Sequence, residues 1–300
     1  MHLSLAGGGA RALVYASFFE RLNETVEGRQ LLLRTTSMSG VSAGAIIAAP
    51  LAMGVDPKRV CDAVAQGGLS DWLHWPRALL TVLGIKQSMY DGSVIYNRLY
   101  NVCKGKSVLK PISLAVTSDK LEQTSLRFTS KNSLASVLNC AVASASVPGL
   151  FSSREVQPVG KVFDGGAAKC TFAVDAILSA MRANTDIVLI NCAPWPGFRE
   201  PLLGTRNENL FSNVYDIYYE HNMEWLPKEL GPNFRYKDGI FQYKKVTFVA
   251  PTKAQYAKSG GNKAAGDIFY TSNSSFTRKL QTEGRNMADL FMKSGIVRHI

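Results

Sequence analysis

The chain has 300 residues, of which 46% are hydrophobic and 19% charged, a composition typical of globular proteins that excludes a disordered chain. Lysine and arginine outnumber acidic residues, and the net charge of +11 favours anionic partners such as membrane surfaces, nucleic acid or acidic ligands. No run of 18 uncharged apolar residues occurs, so no membrane-spanning helix is predicted, and no signal peptide is visible before the first predicted strand.

The chain opens with a glycine-rich loop between a predicted strand, His2–Ala6, and a predicted helix, Ala10–Asn23. The loop reads Gly7-Gly8-Gly9-Ala10-Arg11, and the N–H groups at such a junction form a ready anion site. It also fits the dinucleotide fingerprint G-x-G-x-x-[G/A]. The second predicted strand, Leu31–Ser39, lacks the terminal carboxylate that ribose binding needs, which argues against a dinucleotide.

A serine turn follows that second strand and reads Gly40-Val41-Ser42-Ala43-Gly44. The pattern G-x-S-x-G is typical of a sharp strand-to-helix turn that exposes a nucleophilic serine, with Gly40 and Gly44 permitting the turn. The next segment, Ala43–Met53, is apolar on every side and predicts a helix buried against a sheet, with Pro50 kinking or ending it. A serine and an anion site together are the two halves of an acyl-transfer site.

Two tryptophans mark the segment that spans residues 67–83. Trp72, Trp75, Leu79 and Leu80 recur near helical spacing, and tryptophan favours membrane interfaces. We therefore predict either a lid or acyl-chain pocket beside Ser42, or a plain core helix.

Strands and helices alternate through most of the remaining chain. Strands are predicted at Pro111–Thr117, Thr124–Thr129, Lys161–Phe163, Asp186–Cys192 and Lys245–Ala250, and helices at Pro57 onward, Asp91–Cys103, Ser133–Ser144, Phe172–Met181, Asn207–Trp225 and Ser274–Lys293. This alternation predicts a layered α/β fold with a largely parallel sheet. Because no repeat, low-complexity linker or boundary is evident, residues 1–300 are predicted to form one domain.

A serine nucleophile needs a base, and the four histidines do not supply an obvious one. His2, His74, His221 and His299 all fit poorly with a triad in the order Ser…Asp…His. Asp164 is better placed, since it ends a short apolar strand and precedes two glycines that allow close approach. The alternative interpretation of Asp164 is an ordinary Asp-Gly turn.

Residues 228–263 hold eight basic and two acidic residues, interleaved with aromatic side chains. Three interpretations fit this pattern. The segment is a solvated face whose aromatic residues lie in the core, a surface that orients the protein on anionic lipid headgroups, or a stripe that contacts nucleic acid. The five dispersed cysteines form no C-x-x-C pair and predict reduced core thiols in a reducing compartment, with neither a disulfide framework nor a zinc site.

Four motifs in order give the chain its resemblance to the patatin-like phospholipases. They are the G-G-G-x-[RK]-G loop at residues 7–12, the G-x-S-x-G turn, the softer segment Ala143–Phe151, and D-G-[GA] at Asp164-Gly165-Gly166. The loop departs from the family pattern at Ala12, which we expect the helix start to tolerate unless its φ is positive. The resemblance covers residues 1–166, whereas the second half matches only loosely.

The resemblance implies a three-layer α/β/α fold with a largely parallel central sheet. It implies a Ser-Asp dyad, with Ser42 as nucleophile, Asp164 as base, and Gly7, Gly8, Gly9 and Arg11 in the oxyanion loop. The implied activity is phospholipase A-type hydrolysis of fatty-acyl esters of phospholipids or other glycerolipids through an acyl-enzyme, without metal or cofactor.

Two other functions are compatible with the same motifs. One is an acyltransferase, since the acyl-enzyme is shared, and the other is an effector whose basic C-terminal half binds an anionic ligand, partner or second messenger. We expect a cytoplasmic protein that associates peripherally with membranes and acts on a phospholipid or another acyl lipid. We expect no binding to nucleic acid, and regulation by a protein activator is compatible with the motifs.

Overall fold

In a computed structural model, the described residues form a nine-stranded mixed sheet with helices around it. The structure describes residues 1–66, 88, 90, 92–120, 122–168, 172–193, 239–259 and 274–298. The strands are β1 His2–Leu5, β2 Ser37–Val41, β3 Ile112–Ser118, β4 Gln123–Phe128, β5 Arg154–Val156, β6 Gly160–Asp164, β7 Ile187–Ile190, β8 Ile240–Tyr243 and β9 Val246–Val249.

Five strands in the order β3-β2-β1-β7-β9 run parallel and form the centre of the sheet. Antiparallel pairs extend both sides, with β8 on β9 and with β4, β5 and β6 near β3. Both β1 and β7 are buried along their whole length, as expected for parallel strands covered by helices on both faces.

Helices lie on both faces of the sheet. They are α1 Ala12–Glu24, α2 Val26–Arg34, α3 Ala43–Ala52, α4 Pro57–Ala65, α5 Ser93–Cys103, α6 Leu134–Ser144, α7 Val174–Arg182, α8 Lys253–Lys258 and α9 Ser274–Lys293. The main core joins one face of the sheet to α1, α3, α6 and α9, while Ile177 of α7 packs with Phe172 and Phe248 on the other face. The predicted three-layer α/β/α architecture with a largely parallel sheet is confirmed.

The predicted strand Leu31–Ser39 is partly wrong. Leu31 is buried within α2, which begins after the Thr25 side chain accepts a hydrogen bond from the Gly28 N–H, and the strand starts only at Ser37. A short run of leucines fits a strand or a helix equally well, and here the N-terminal cap decides for the helix. Pro50 also does not end its helix, since α3 continues to Ala52.

The pairing around β3 brings two distant strands to one place. β2 pairs with the first part of β3 up to Val41 opposite Ala115, and then the chain turns away. From the next residue onward, β3 pairs with β6 instead, with Asp164 opposite Val116. The end of β2 and the end of β6 therefore meet on neighbouring residues of β3.

Candidate active site

Ser42 lies in a strained turn between β2 and α3. Its backbone has φ 52° and ψ −122°, a conformation that a non-glycine residue adopts only when the surrounding structure imposes it. A Cβ on Gly40 would lie 2.6 Å from the Gly44 carbonyl oxygen, and one on Gly44 would lie 2.5 Å from the Ala6 carbonyl oxygen. The two glycines are thus required by close backbone contacts, and the turn has the geometry of a nucleophile elbow.

The glycine loop lies directly beside this elbow. Leu5 is opposite Gly40 in the parallel pairing of β1 and β2, so Gly7 and Ser42 each follow two residues beyond that pair. On its other side, the loop packs against Cys192, whose Sγ would lie 2.3 Å from a Cβ on Gly8. The sheet therefore brings the two predicted halves of an acyl-transfer site together.

Two backbone angles explain the residue choice at the end of this loop. Gly9 has φ 50°, which favours glycine. Ala12 has φ −47° and ψ −33°, an ordinary helical conformation, so alanine is tolerated there as expected.

Asp164 is buried at the end of β6, with 2% of its surface exposed. Its Oδ1 accepts a hydrogen bond from the Gly166 N–H at 2.8 Å. Burial raises the pKa of Asp164 from 3.8 to about 6, and the Ser42 side chain and the Gly166 N–H offset only part of that rise. A carboxyl group with this pKa is mostly ionised at neutral pH and is well matched to accept a proton.

The second carboxylate oxygen of Asp164 is available for proton transfer. Within the described ranges, Oδ2 has no hydrogen-bond partner, although the Ser42 side chain is near enough to lower the pKa of the carboxyl group. Contacts between a nucleophile and its base are often loosely aligned before substrate binds. The arrangement provides a hydroxyl and a buried base in one place.

Close packing holds the turn after Asp164 against β3. A Cβ on Gly165 would lie 2.2 Å from the Ala115 carbonyl oxygen, so only glycine fits there. The Gln123 side chain donates to the Gly165 carbonyl oxygen at 2.8 Å. The D-G-G sequence is therefore not an ordinary surface turn but a packed junction between β3 and β6.

Arg11, which the resemblance assigns to the oxyanion loop, turns its side chain into the interior. Its guanidinium forms a buried ion pair with Glu283 of α9, donates to the Cys192 carbonyl oxygen and the Ser259 hydroxyl, each at 3.0 Å, and lies 4.4 Å from the Tyr256 ring centroid. The positive charge expected beside the loop is instead directed to Glu283, which neutralises it. Arg11 thereby ties the loop to α8 and α9.

Two serines of the segment Ala143–Phe151, for which the sequence alone indicates no role, contact the candidate residues. The Ser144 hydroxyl accepts a hydrogen bond from the Ser42 N–H at 2.9 Å, and the Ser146 carbonyl oxygen accepts one from the Asp164 N–H at 3.0 Å. The motif was visible in the sequence, but its contacts with both candidate residues depend on the fold. No pattern in the sequence points to Glu283 as the partner of Arg11.

Of the four histidines, His2 is the one that the structure describes, and its surroundings do not fit a catalytic triad. His2 is buried at the start of β1, and its ring nitrogens lie 2.8 and 2.9 Å from the hydroxyls of Ser37 and Ser39. Burial lowers the pKa of His2 to about 4, so this ring is neutral at physiological pH. Other predicted residues lie outside the described ranges: Trp72, Trp75, Leu79, Leu80, His74, His221, His299 and much of the basic region 228–263.

The described residues contain neither a metal-binding cluster nor a membrane-spanning helix. No group of three or more His, Cys, Asp and Glu side chains in these residues is arranged to hold a metal ion. None of the helices assigned there combines the length and apolar character needed to cross a bilayer. The cysteines within the described ranges, Cys61, Cys103, Cys140 and Cys192, are all buried thiols.

Comparison with known proteins gives one family match. A family model described as patatin-like phospholipase matches residues 3–177, which is more than half of the chain and includes all four motifs. No curated protein matches the sequence.

Two solved structures are similar at low identity. VipD from Legionella pneumophila is 14% identical with a TM-score of 0.44, over 94% of this chain and 67% of that one. The type III effector protein ExoU is 17% identical with a TM-score of 0.35, over 76% of this chain and 52% of that one. The chain thus spans about two thirds of the VipD chain and about half of the ExoU chain.

Proposed function

The chain belongs to the patatin-like phospholipase family, and on that premise we propose that it hydrolyses fatty-acyl esters of phospholipids, as a phospholipase A, through a Ser42–Asp164 dyad. The observation that carries this proposal is the pairing of a strained, elbow-held serine with a buried aspartate whose pKa is about 6. A strained backbone and a perturbed pKa at one place are typical of a catalytic site.

The proposed reaction has two steps that share one base. Asp164 accepts the proton from the Ser42 hydroxyl as its Oγ attacks the acyl carbonyl carbon, and N–H groups of Gly7–Gly9 stabilise the resulting oxyanion. The intermediate then expels the lysolipid alkoxide, which takes the proton from Asp164 and leaves an acyl-Ser42 ester. Water attacks this ester as Asp164 accepts one of its protons, and the C–O bond to Ser42 then breaks. The Ser42 Oγ takes the proton back from Asp164, which restores the free hydroxyl and the carboxylate as the fatty acid is released.

We also propose that the protein acts from the cytoplasmic side, at the surface of a membrane. A phospholipid substrate is found there, and a net charge of +11 attracts anionic headgroups. Co-sedimentation with vesicles of rising anionic lipid content should increase, and should fall as salt is added. Binding that ignores both variables would contradict this part of the proposal.

The deciding experiment is fatty-acid release from mixed phospholipid vesicles with a metal chelator present. We expect release by the wild-type protein and a loss of at least about 10⁴-fold in Ser42→Ala. Ser146→Ala is the matched control, because among the described residues the hydroxyl of this buried serine donates only to the Val142 carbonyl oxygen, in the last turn of α6. Equal release by wild type and Ser42→Ala would refute the serine mechanism, and no release by wild type would refute the activity under these conditions.

A further inference from the structure

Ser144 occupies the point where three segments of the site meet. It is fully buried at the end of α6, between the elbow that holds Ser42, the strand β3, and the turn after Asp164. Its Oγ would lie 3.2 Å from a Cβ on Gly165, which places the hydroxyl in close contact with that turn. A buried hydroxyl in such a position is expected to have its hydrogen-bonding capacity satisfied.

The hydrogen bonds of this hydroxyl have a defined direction. Ser144 Oγ accepts the backbone N–H of Ser42, with 2.9 Å between nitrogen and oxygen, and donates its own proton to the Ala115 carbonyl oxygen. Ala115 is opposite Val41 in β2, and the next residue of β3, Val116, is opposite Asp164. One side chain therefore links the Ser42 backbone to β3, the strand that pairs with the end of β6 at Asp164.

We propose that Ser144 is a positioning residue that sets the separation of Ser42 and Asp164. The inference rests on the proposed hydrolase function of that same pair. Ser42 has a strained backbone, and its N–H would lose its acceptor without Ser144, so the elbow would relax away from the conformation with φ 52°. A shift of about 1 Å between reacting groups is enough to cost about 10²-fold in rate.

The test compares Ser144→Ala with Ser146→Ala in the vesicle assay. Each variant removes one buried hydroxyl, and the two positions are two residues apart. In the part of the chain that the structure describes, the Ser146 hydroxyl bonds only the Val142 carbonyl oxygen, and the Ser146 backbone carbonyl keeps its bond to the Asp164 N–H in the variant. We expect Ser144→Ala to lower kcat by about 10- to 100-fold with KM changed less than about twofold, and Ser146→Ala to keep kcat within about threefold.

A second readout separates positioning from general loss of structure. The rate of Ser42 modification by a fluorophosphonate, scaled to the folded fraction from thermal unfolding, should fall in Ser144→Ala and stay near wild type in Ser146→Ala. Equal scaled rates in the two variants, or a kcat of Ser144→Ala within about twofold of wild type, would overturn the proposal.

Amide hydrogen exchange in the wild-type protein keeps the proposal testable if Ser144→Ala does not fold. The Ser42 N–H should be strongly protected by its bond to Ser144, and rapid exchange there would refute the inference. The outcomes are also separable from those of the proposed function. Wild-type release that is lost in Ser42→Ala establishes the hydrolase whatever Ser144→Ala does, whereas wild-type inactivity removes the premise.

Discussion

Asp164 and Glu283 are both carboxylates with 2% of their surface exposed, but their surroundings differ. Glu283 lies against the Arg11 guanidinium, so its charge is compensated. In the described residues, Asp164 is opposed only by neutral donors, the Ser42 hydroxyl and the Gly166 N–H. Burial raises the pKa of both groups, yet only Glu283 has a cation that acts against the rise.

This difference is consistent with the role proposed for Asp164 and with a structural role for Glu283. A buried carboxylate without a cation destabilises the folded state, and carboxylates with a pKa raised in this way are common among catalytic bases. A buried ion pair instead fixes two segments relative to each other, here the glycine loop and α9. Glu283 lies beyond residues 3–177, so the family loop is held by a residue outside the family match.

The largest expected effect is on activity, in Asp164→Asn. Removing the base should lower kcat by about 10³-fold or more in the vesicle assay, because no described histidine lies near Ser42 to replace it. An activity within tenfold of wild type would show that Asp164 is not the base. Asn is nearly isosteric, so the loss should not come from misfolding.

The same variant should be more stable than wild type at neutral pH. The folded-state pKa of Asp164 is above its ordinary value, so the folded protein holds a proton that the unfolded chain has lost between pH 3.8 and about 6. Stability from this group therefore falls as pH rises through that window, and the full cost of about 3 kcal/mol is present above it. The gain in Tm of Asp164→Asn should be several degrees at pH 7 and vanish below about pH 4.

The next largest effect is on stability, in Glu283→Ala. This change leaves the Arg11 charge buried without its carboxylate, which should cost about 3–5 kcal/mol in the free energy of unfolding measured with urea. The double variant Arg11→Met with Glu283→Leu removes both charges and should recover most of that loss. If the double variant is as unstable as the single one, the ion pair itself and not the stranded charge is what stabilises the fold.

A third effect concerns the pH dependence of hydrolysis. Asp164 accepts a proton only when ionised, so kcat should decrease about tenfold per pH unit below about pH 6 and level off above it. The measurement must be made on protein shown to be folded by circular dichroism at each pH, since His2 must also remain neutral in the core. An acid limb centred near pH 4 would mean that Asp164 is not desolvated as the structure shows.

The two carboxylates also differ in how far the sequence reveals them. Asp164 follows a short apolar strand and precedes two glycines, a local pattern that is readable in five residues. Glu283 is one acidic residue on an amphipathic helix, and its partner Arg11 is 272 residues away. Ser144 is similarly hidden, because its bond to Ser42 spans 102 residues and is created by the pairing of β3 with β2 and β6. Local motifs thus indicate the candidate reacting groups and the alternation of strands and helices, whereas the contacts that hold these groups in place depend on tertiary packing.

The smallest effect on stability is expected for a partly exposed ion pair that also joins α9 to α1. Glu24 of α1 is 2.6 Å from Arg285 of α9 and 2.9 Å from Arg21, and all three side chains are about a third exposed. Glu24→Ala should therefore cost no more than about 1 kcal/mol in urea unfolding, and this cost should shrink further in 0.5 M salt. The cost of Glu283→Ala should be nearly independent of salt, because its charge pair is shielded from solvent. If both variants lose similar stability with similar salt dependence, then burial does not distinguish the Glu283–Arg11 pair from the Glu24–Arg285 pair. In that case, the contrast drawn between the compensated charge of Glu283 and the uncompensated charge of Asp164 has no basis.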